Sequence, residues 1–487
     1  MPEKCFKSFS AAVLTACVSL LPLTAMAEVR LPKIISDHMA LQADAPVAIW
    51  GWADPAERVE VRIAGQTQSV KADQTGHWRV TLKPLSATSA PLDLQVKGKS
   101  NSLRVNDILV GEVWLASGQS NMEMPFRWAK TKGTFDYQAE MAAANHPSIR
   151  IFKVKKTHAK APQEDVEGQW IVCDPSQVTE EGFSAAGYYF ARRLNATLKV
   201  PVGLIDSTWG GTRIEEWIST EGFGTQPALA RFLSVEAGGE KIDGVKRSEL
   251  FNAMIAPLTP FSLKGAIWYQ GESNATDAVA SRDYTDKMRA LIGGWRTSFG
   301  QTVPFYYVQI APYLYHVDRP LRVTSPEAAP LIWEAQTDAL SIADTGMVVV
   351  NDLVDNLFDI HPRNKRDVGE RLAGMALART YGQGAAVFSG PRFKNVSFDA
   401  GKAIIGFDDV GSGLVSRDGK PVNWFAIAGA DGVYYPGQAE IVGDRIVVSS
   451  PNVPVPVAVR FAWDEGAQPN LSNREGFPAW PFRSQRP

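Results

Sequence analysis

The sequence predicts an α/β protein in which a domain built on a parallel sheet is flanked by two smaller β-domains. Residues 28–106 show short runs of alternating apolar and polar residues, which are typical of small β-sandwiches. Residues 107–384 show continuous apolar runs separated by helical patterns, which indicate buried parallel strands. In residues 385–487 the alternation returns. The length of 487 residues also favours several domains, because single cores stop growing at about 250–300 residues.

The first 27 residues have the pattern of an export signal. Two lysines precede an apolar run from Ala11 to Leu23, and Ala25-Met26-Ala27 matches a cleavage site. The sequence Leu14-Thr15-Ala16-Cys17 also resembles a lipoprotein acylation box, but apolar residues continue beyond it, which favours cleavage after Ala27. We therefore predict a signal peptide over residues 1–27 and a periplasmic or secreted mature protein, with a lipoprotein anchored at Cys17 as the alternative.

The composition excludes several classes of function. A formal net charge of -2, without a basic surplus, argues against a nucleic-acid partner. No segment after residue 27 approaches the roughly 20 apolar residues that span a bilayer. Cys173 is the single cysteine of the predicted mature chain, so we expect no intramolecular disulfide. The sequence has no cysteine or histidine spacing typical of a metal site, and we expect neither a metal nor a cofactor. The oligomeric state is not predicted.

The middle region supplies the predicted parallel sheet. Its strands are Ile108 to Leu115, Val200 to Ile205, Gly265 to Tyr269, Phe305 to Ile310 and Met347 to Val350. Between them, Ser184 is predicted to cap a helix that runs through Asn195, and Asp283 to cap one that runs through Trp295. A third helix is predicted from about Lys365 to Tyr381.

A candidate nucleophile follows the first of these strands. The strand runs into Gly118-Gln119-Ser120-Asn121-Met122, where the glycine permits a tight turn and one serine stands at its apex. A serine at the carboxyl end of a buried parallel strand can expose its hydroxyl beside unpaired backbone N–H groups. Because small polar residues also populate ordinary turns, the hypothesis needs a partner base elsewhere in the chain.

His361 is the candidate base. It follows the fifth strand in Asp359-Ile360-His361-Pro362, and ligand sites in open parallel sheets collect at the carboxyl ends of strands. The other five histidines lie in the first β-domain, in the irregular region after Ser120, or in a tyrosine-rich loop. Asp359 is placed to orient the imidazole ring and to stabilise its charged form.

Two further turns at strand ends offer donors for an oxyanion. Thr208-Trp209-Gly210-Gly211-Thr212 follows the second strand and offers backbone N–H groups. Gln270-Gly271-Glu272-Ser273-Asn274 follows the third strand and offers side-chain amides. A Gly-Gly pair alone usually marks a turn, but three such turns at three strand ends, together with Asp-x-His at a fifth, indicate a shared site.

Taken together, these blocks resemble the SGNH (GDSL-like) hydrolases, and within them the sialate O-acetylesterase family. The resemblance rests on the nucleophile turn, Gly210-Gly211, Trp268-Tyr269-Gln270-Gly271-Glu272-Ser273-Asn274 and Asp359-Ile360-His361-Pro362. It extends over essentially the whole mature chain, to Asn473-Arg474-Glu475-Gly476-Phe477-Pro478. It implies a flavodoxin-like catalytic domain that removes acetyl groups from sugar hydroxyls through an acetyl-enzyme intermediate.

The resemblance also implies a role for individual residues. Ser120 is the expected nucleophile and His361 the expected base. The expected oxyanion hole combines the N–H groups of Ser120 and Gly211 with one amide side chain. No cofactor is implied.

This sequence departs from the wider superfamily at two points. The acid that usually stands three residues before the histidine is replaced by Phe358, with Asp359 one residue later, so a Ser-His dyad helped by a backbone carbonyl remains open. The usual Gly-x-Asn-Asp block is also changed, so either Gln270 or Asn274 is the side-chain donor.

Two charged residues are candidates for binding substrate. Arg213 could bind a sugar carboxylate with two hydrogen bonds, although a structural ion pair with a neighbouring glutamate is an equal alternative. Glu272 is expected to be buried and to orient the site rather than to act as an acid.

The predicted function is that of an exported serine esterase acting on O-acetylated carbohydrates, with sialate as the first substrate. Acetylated plant cell-wall polysaccharide, such as xylan or xyloglucan, is the alternative substrate. A non-catalytic carbohydrate-binding protein is the alternative from another class. The 14 tryptophans and 12 tyrosines suit a sugar ligand in each case.

Overall fold

The computed structural model describes residues 1, 28–129, 131–179, 182–236, 239–242, 244–384 and 387–486. Apart from Met1, the predicted signal peptide and its Cys17 lie outside the described residues. Within the described ranges, no helix combines the length and the apolar character that crossing a membrane requires.

The amino-terminal region is a set of short strands, as its alternating pattern predicts. They are β1 Ala40–Gln42, β2 Val47–Trp52, β3 Arg58–Ile63, β4 Gln66–Lys71, β5 His77–Leu82 and β6 Thr88–Lys97. In β3, Val59, Val61 and Ile63 are buried, whereas Arg58 and Arg62 are exposed. Because side chains alternate between the two faces of a strand, this sequence has one face for the core and one for solvent.

One long strand, β7 Ser102–Gly118, joins this region to the central sheet. It pairs antiparallel with β6 and parallel with β1 before it enters the parallel sheet. It crosses the predicted boundary between residues 106 and 107 without interruption, and one apolar core includes residues from Val29 to Leu377. The amino-terminal strands and the central sheet therefore share a strand and a core, and the domain limits stay predictions.

After β7, the central region alternates helices and strands. In chain order its elements are α1 Ser120–Glu123, α2 Tyr137–Ala143, β8 His146–Val154, β9 Gly168–Cys173, α3 Ala185–Leu198, β10 Val202–Thr208, α4 Thr220–Gly224, β11 Gly265–Tyr269, α5 Ala278–Arg282, α6 Tyr284–Phe299, β12 Phe305–Val308, α7 Tyr315–Asp318, α8 Ala328–Asp338, β13 Thr345–Val348 and α9 Lys365–Arg379. Short 3₁₀ helices cover Ile214–Trp217, Pro227–Leu233, Ala256–Leu258 and Ala339–Ser341, and a π-helical turn covers Phe251–Ile255.

The central sheet has the strand order β13-β12-β11-β7-β10-β8-β9. The first six strands are parallel and β9 is antiparallel to β8. The carboxyl ends of the parallel strands therefore meet at one edge, with the nucleophile turn of β7 between the ends of β11 and β10. The predicted α/β architecture, with a parallel sheet flanked by β-regions, is confirmed.

The prediction of five parallel strands was incomplete. The structure adds β8, which includes His146 and which the sequence placed in an irregular region. Only Ile149, Arg150, Ile151 and Phe152 form a continuous buried run in β8, which is too short to stand out. The second predicted strand also continues to Thr208, because its polar residues from Asp206 onward are fully buried.

Helices cover both faces of this sheet. On one face, Trp114 of β7 packs against Phe190 of α3 and Tyr381, with ring centroids 5.1 and 6.5 Å away. On the other face, Trp268 of β11 packs edge-on against Trp295 of α6 at 5.9 Å. Each tryptophan buries a large apolar area, and both are fully shielded from solvent.

The helix starts were predicted with mixed success. Ser184 caps α3, since its hydroxyl accepts a hydrogen bond from the Gly187 N–H at 2.9 Å. Asp283 is the N-cap residue of α6, as predicted, but its side chain makes no capping hydrogen bond, so that part of the prediction was wrong. Its carboxylate instead forms ion pairs with Lys287 and Arg231, each at 2.7 Å. A cationic partner holds the Asp283 carboxylate away from the backbone donors of the helix.

The carboxyl-terminal region returns to short strands around a second apolar core. They are β14 Arg392–Asp399, β15 Lys402–Asp408, β16 Leu414–Ser416, β17 Phe425–Ala428, β18 Tyr434–Pro436, β19 Gln438–Val442, β20 Arg445–Ser449, β21 Ala458–Phe461, β22 Leu471–Asn473 and β23 Phe482–Arg483. One sheet has the order β14-β15-β20-β19 and another the order β18-β17-β21-β23. Stacked and edge-on phenylalanines around Phe482 fill the space between them.

Candidate active site

The nucleophile turn depends on a glycine. Gly118 has a φ of 131°, and a Cβ at this position would lie 2.2 Å from the Tyr269 carbonyl oxygen. An L-residue with a side chain would clash with the neighbouring strand there. The Gln119 N–H donates to the same carbonyl at 3.0 Å, which closes the turn. Ser120 then begins α1 and remains partly exposed, as a nucleophile must.

Backbone donors surround Ser120. A Cβ placed on Gly210 would lie 3.1 Å from the Cβ of Ser120, so the glycine turn after β10 approaches the serine closely. The Gly210 N–H donates to the Glu123 carboxylate. Among the described residues, by contrast, no acceptor faces the N–H groups of Ser120 and Gly211. These two donors are the ones that the sequence proposed for an oxyanion hole.

The loop that carries His361 is tied to the nucleophile turn. The side-chain amide of Asn121 donates to the carbonyl of Ile360 at 2.9 Å, so the residues next to Ser120 and His361 are in direct contact. The His361 ring packs edge-on against Trp128, with centroids 5.1 Å apart. In the described part of the chain, the Ser120 hydroxyl and the His361 ring do not share a hydrogen bond. The bond from Asn121 to Ile360 thus joins the two segments, and the pairing of the Ser120 and His361 side chains stays a prediction.

The environment of His361 lowers its basicity. Burial disfavours the charged ring, and the nearby Lys365 ammonium opposes it further, so the pKa of His361 falls from 6.5 to about 4. Asp359 acts in the opposite direction. Its Oδ1 lies 3.6 Å from His361 Nδ1 and accepts the His361 backbone N–H at 3.0 Å. The Asp359 side chain is about half exposed, which weakens its effect on the ring.

The two amide candidates for the oxyanion hole are both committed to partners inside the protein. Gln270 donates to Asn274 Oδ1 at 2.7 Å and to Gln119 Oε1 at 3.1 Å, and its own oxygen accepts from the Tyr284 hydroxyl. Asn274 donates to Glu215 Oε2 at 2.9 Å. In this arrangement both side chains hold together the turns that follow β7, β10 and β11. Either side chain would have to break one of these hydrogen bonds before it could donate to an oxyanion.

A buried network centred on Asn121 was missed by the sequence interpretation. The Asn121 amide donates to Glu272 Oε1 at 2.5 Å, and its carbonyl oxygen accepts from Lys365 Nζ at 2.5 Å. Burial raises the pKa of Glu272 and lowers that of Lys365 to about 7. The signal was present, because Asn121 follows Ser120 and Lys365 lies about one helical turn after His361. Spacing alone, however, does not show that the two side chains meet.

The predicted substrate-binding residues Arg213 and Glu272 lie on one cavity of about 630 Å³, together with Gly211. Of the predicted catalytic groups only Gly211 lines it, and the described lining does not include Ser120 or His361. Its wall also carries several other charged side chains: Glu215, Arg231, Asp277, Asp283, Lys287, Arg319 and Arg322. Lys287 forms a 2.8 Å ion pair with Glu215, so this part of the wall is neutralised within the protein. Arg319 and Arg322 are exposed side chains of this wall, and Arg319 also forms an ion pair with Asp318 at 3.6 Å.

Three side chains nearby have the donor chemistry of a cation site. The ligand atoms of His158, Glu216 and Glu249 lie within 4.8 Å of one another. His158 Nδ1 is 3.1 Å from Glu249 Oε2, and burial raises the pKa of Glu216 to about 7. An ion pair and one carboxyl of raised pKa account for this grouping.

Comparison with known proteins identifies the family. Residues 110–378, which contain every turn described above, match the model of the carbohydrate esterase family described as sialic acid-specific acetylesterase. The chain belongs to this family. It is 34% identical to the sialate O-acetylesterase of Homo sapiens over 419 residues, which cover 77% of this chain and 76% of that protein. It is 30% identical to the Mus musculus enzyme over 498 residues, which cover 89% of each chain.

A solved structure supports the same conclusion for this carbohydrate esterase. A carbohydrate acetylesterase from Xanthomonas citri is 40% identical and superposes with a TM-score of 0.84. The match covers 94% of this chain and all of that one, including both flanking β-regions. The protein is therefore a carbohydrate esterase that removes O-acetyl groups, as the sequence predicted. The roles of its individual site residues remain predictions.

Proposed function

We propose that Ser120 and His361 hydrolyse the acetyl ester through an acetyl-enzyme intermediate. His361 takes the proton of the Ser120 hydroxyl, and Ser120 Oγ attacks the acetyl carbonyl carbon to form a tetrahedral intermediate. As this intermediate collapses, the bond to the sugar oxygen breaks and His361 gives its proton to the leaving hydroxyl. Water then attacks the acetyl carbon, with His361 again as base, and acetate and free Ser120 are released.

The observation that carries this mechanism is the pair of unpartnered N–H groups at Ser120 and Gly211. Donors fixed by the backbone stabilise the oxyanion without reorganising when the charge develops. The Asn121 bond to Ile360 holds the His361 loop beside this turn. In this proposal Asp359 is the third catalytic residue and stabilises the charged His361 ring electrostatically across 3.6 Å. Because this distance is longer than a hydrogen bond, packing against neighbouring side chains sets the orientation of the ring.

We infer that the acetylated sugar is a sialic acid. The family and its curated relatives support this substrate. The arginines that line the cavity support it as well, because a sialic acid carries a carboxylate that guanidinium groups bind with charge-assisted hydrogen bonds. Arg213, Arg319 and Arg322 are the candidate partners of that carboxylate.

This substrate is tested by removing the carboxylate charge. The protein is expected to release acetate from O-acetylated N-acetylneuraminic acid faster than from its methyl ester, with kcat/KM lower for the methyl ester by about tenfold or more. Replacing Arg319 and Arg322 together by glutamine is expected to lower kcat/KM for the acid and to leave the methyl ester unchanged.

Other outcomes select the alternatives. Equal rates on the acid and the methyl ester, together with faster release from acetylated xylan, would replace sialate by a neutral cell-wall polysaccharide. The family match leaves the non-catalytic carbohydrate-binding alternative without support.

The lowered pKa of His361 predicts a pH profile. A general base works only when it is neutral, and His361 is neutral above about pH 4 rather than above its ordinary 6.5. We therefore expect kcat/KM to hold as the pH falls through 6.5 and to decline only near the lower value. The Lys365→Met variant removes a positive charge that lowers the pKa of His361. The decline of its kcat/KM on the acidic side is therefore expected at a higher pH than in the wild type. Acetate release measured between pH 3.5 and 8 tests both points, and a wild-type limb at 6.5 would contradict them.

We also propose that the mature protein is exported. The basic start, the apolar run Ala11 to Leu23 and the cleavage triplet ending at Ala27 support this location. Amino-terminal sequencing of the protein recovered from periplasm or medium is expected to begin at Glu28. An acylated protein beginning at Cys17 in the membrane fraction would establish the lipoprotein alternative.

A further inference from the structure

A second concave surface lies in the carboxyl-terminal β-region and shares no lining residue with the cavity of Gly211, Arg213 and Glu272. This groove has a volume of about 1190 Å³ and is lined by aromatic side chains that include Trp424, Tyr434 and Trp463. It forms on the sheet in which β17 pairs with both β18 and β21. None of these residues contributes to the mechanism proposed above.

Trp424 is the most exposed ring of the groove. About 40% of its surface is open to solvent, although tryptophan is a residue that folding normally covers. Its backbone has a φ of 65°, which is uncommon for a bulky residue. The hydrogen bond from the Ala462 N–H to the Trp424 carbonyl, at 2.9 Å, secures this conformation to the end of β21. The fold therefore holds a large flat apolar ring at the surface.

The charges of the groove favour a neutral ligand. Arg460 places its guanidinium 3.9 Å from the ring centroid of Tyr434 and forms an ion pair with Glu327 at 3.4 Å. The carboxylates of Glu440 and Asp464 are exposed and line the same surface. An anionic sugar would meet these two carboxylates, while the one cation is already engaged by an acid and by an aromatic ring.

Hydrogen bonds link the segment next to the groove with a segment next to the first cavity. Asp464 lines the groove, and the next residue, Glu465, accepts the His316 backbone N–H with its carboxylate at 2.8 Å. Its backbone carbonyl accepts the N–H of Tyr313 at 2.9 Å. Tyr315, the first residue of α7, lines the cavity of Gly211, Arg213 and Glu272. One short segment thus separates the two concave surfaces.

We propose that the groove is a second, non-catalytic binding site for a neutral oligosaccharide chain of β-linked pyranose rings. Such rings present flat apolar faces that stack on exposed indole and phenol rings, while their hydroxyls suit the polar groups at the edge. A chain bound here would keep the enzyme attached to the carbohydrate that carries the acetyl groups. The site is independent of which sugar carries the acetyl group.

Isothermal titration of the full-length protein with xylohexaose tests the proposal. We expect measurable binding by the wild type and a dissociation constant at least about tenfold higher for Trp424→Ala. The matched control is Phe398→Ala, which removes another exposed aromatic side chain of the carboxyl-terminal strands, at 37% exposure, and is expected to bind as the wild type does. Thermal unfolding of both variants checks that they fold.

Activity separates this site from the catalytic proposal. Hydrolysis of p-nitrophenyl acetate by Trp424→Ala is expected to equal that of the wild type, since this small ester does not need the groove. The proposal would be overturned if the wild type did not bind xylohexaose, or if Trp424→Ala bound it equally well. Tighter Trp424-dependent binding of an oligogalacturonate, an anionic chain, would also overturn it. None of these outcomes affects the Ser120 mechanism.

Discussion

Replacing Ser120 by alanine is expected to lower kcat for acetate release by roughly three orders of magnitude or more. The serine supplies the oxygen that becomes acetylated, and it is the one hydroxyl-bearing residue in the turn sequence Gly118 to Met122. The remaining N–H groups would still polarise a bound ester, so a small residual rate is expected. Rapid acid quenching followed by mass spectrometry is expected to show an acetylated wild-type enzyme and an unmodified variant.

The matched control for this variant is Ser117→Ala. Ser117 lies on the same strand and is fully buried, and its hydroxyl has no hydrogen-bond partner. Removing that oxygen breaks no contact, so both the rate and the stability should stay close to wild type. Full activity of Ser120→Ala would disprove the nucleophile, whereas equal loss in both variants would indicate a general disturbance of the strand.

Asn121→Ala is expected to have the largest effect on stability, lowering the free energy of unfolding by about 3–5 kcal/mol. The substitution leaves Lys365 Nζ and Glu272 Oε1 buried without their present partner, and the second carboxylate oxygen of Glu272 already has none. It also breaks the link to the Ile360 carbonyl. We therefore expect kcat to fall while KM changes little, because the His361 loop loses its anchor to the nucleophile turn.

Denaturant unfolding and steady-state kinetics measure the two effects. Asn395→Ala removes an exposed asparagine on β14 and should change the unfolding free energy by less than about 0.5 kcal/mol. If Asn121→Ala does not fold, Lys365→Met provides the test. Methionine occupies a volume similar to that of the lysine side chain but cannot donate the hydrogen bond to Asn121 Oδ1. Wild-type stability in either network variant would show that the Asn121 hydrogen bonds do not hold the site together.

The blocks of the active site could be predicted because each occupies a short, local stretch of chain. Gly118 to Ser120, Gly210-Gly211 and the segment around His361 all follow apolar strands, and parallel strands end at one edge. Where the local signal was weak, prediction failed. The buried run of β8 spans only four residues. Asp283 forms an ion pair with Arg231, which is distant in sequence and could not be foreseen from the residues around Asp283.

The network around Asn121 illustrates what local patterns leave out. Asn121, Glu272 and Lys365 come from three separate segments, and each alone looks like an ordinary polar residue near a motif. Their mutual hydrogen bonds exist only because β7, β11 and the start of α9 converge. The commitment of Gln270 and Asn274 to internal partners has the same origin.

By itself, the sequence determined the α/β class, five of the six parallel strands, the serine turn and the family. These properties depend on periodicity, on glycine at a tight turn and on residues that are adjacent along the chain. The tertiary structure alone decided which donors at the site are unpartnered, how far burial and Lys365 lower the pKa of His361, and where Trp424 is exposed. Those properties depend on distances between residues far apart in sequence and on the exclusion of water, which no local pattern specifies.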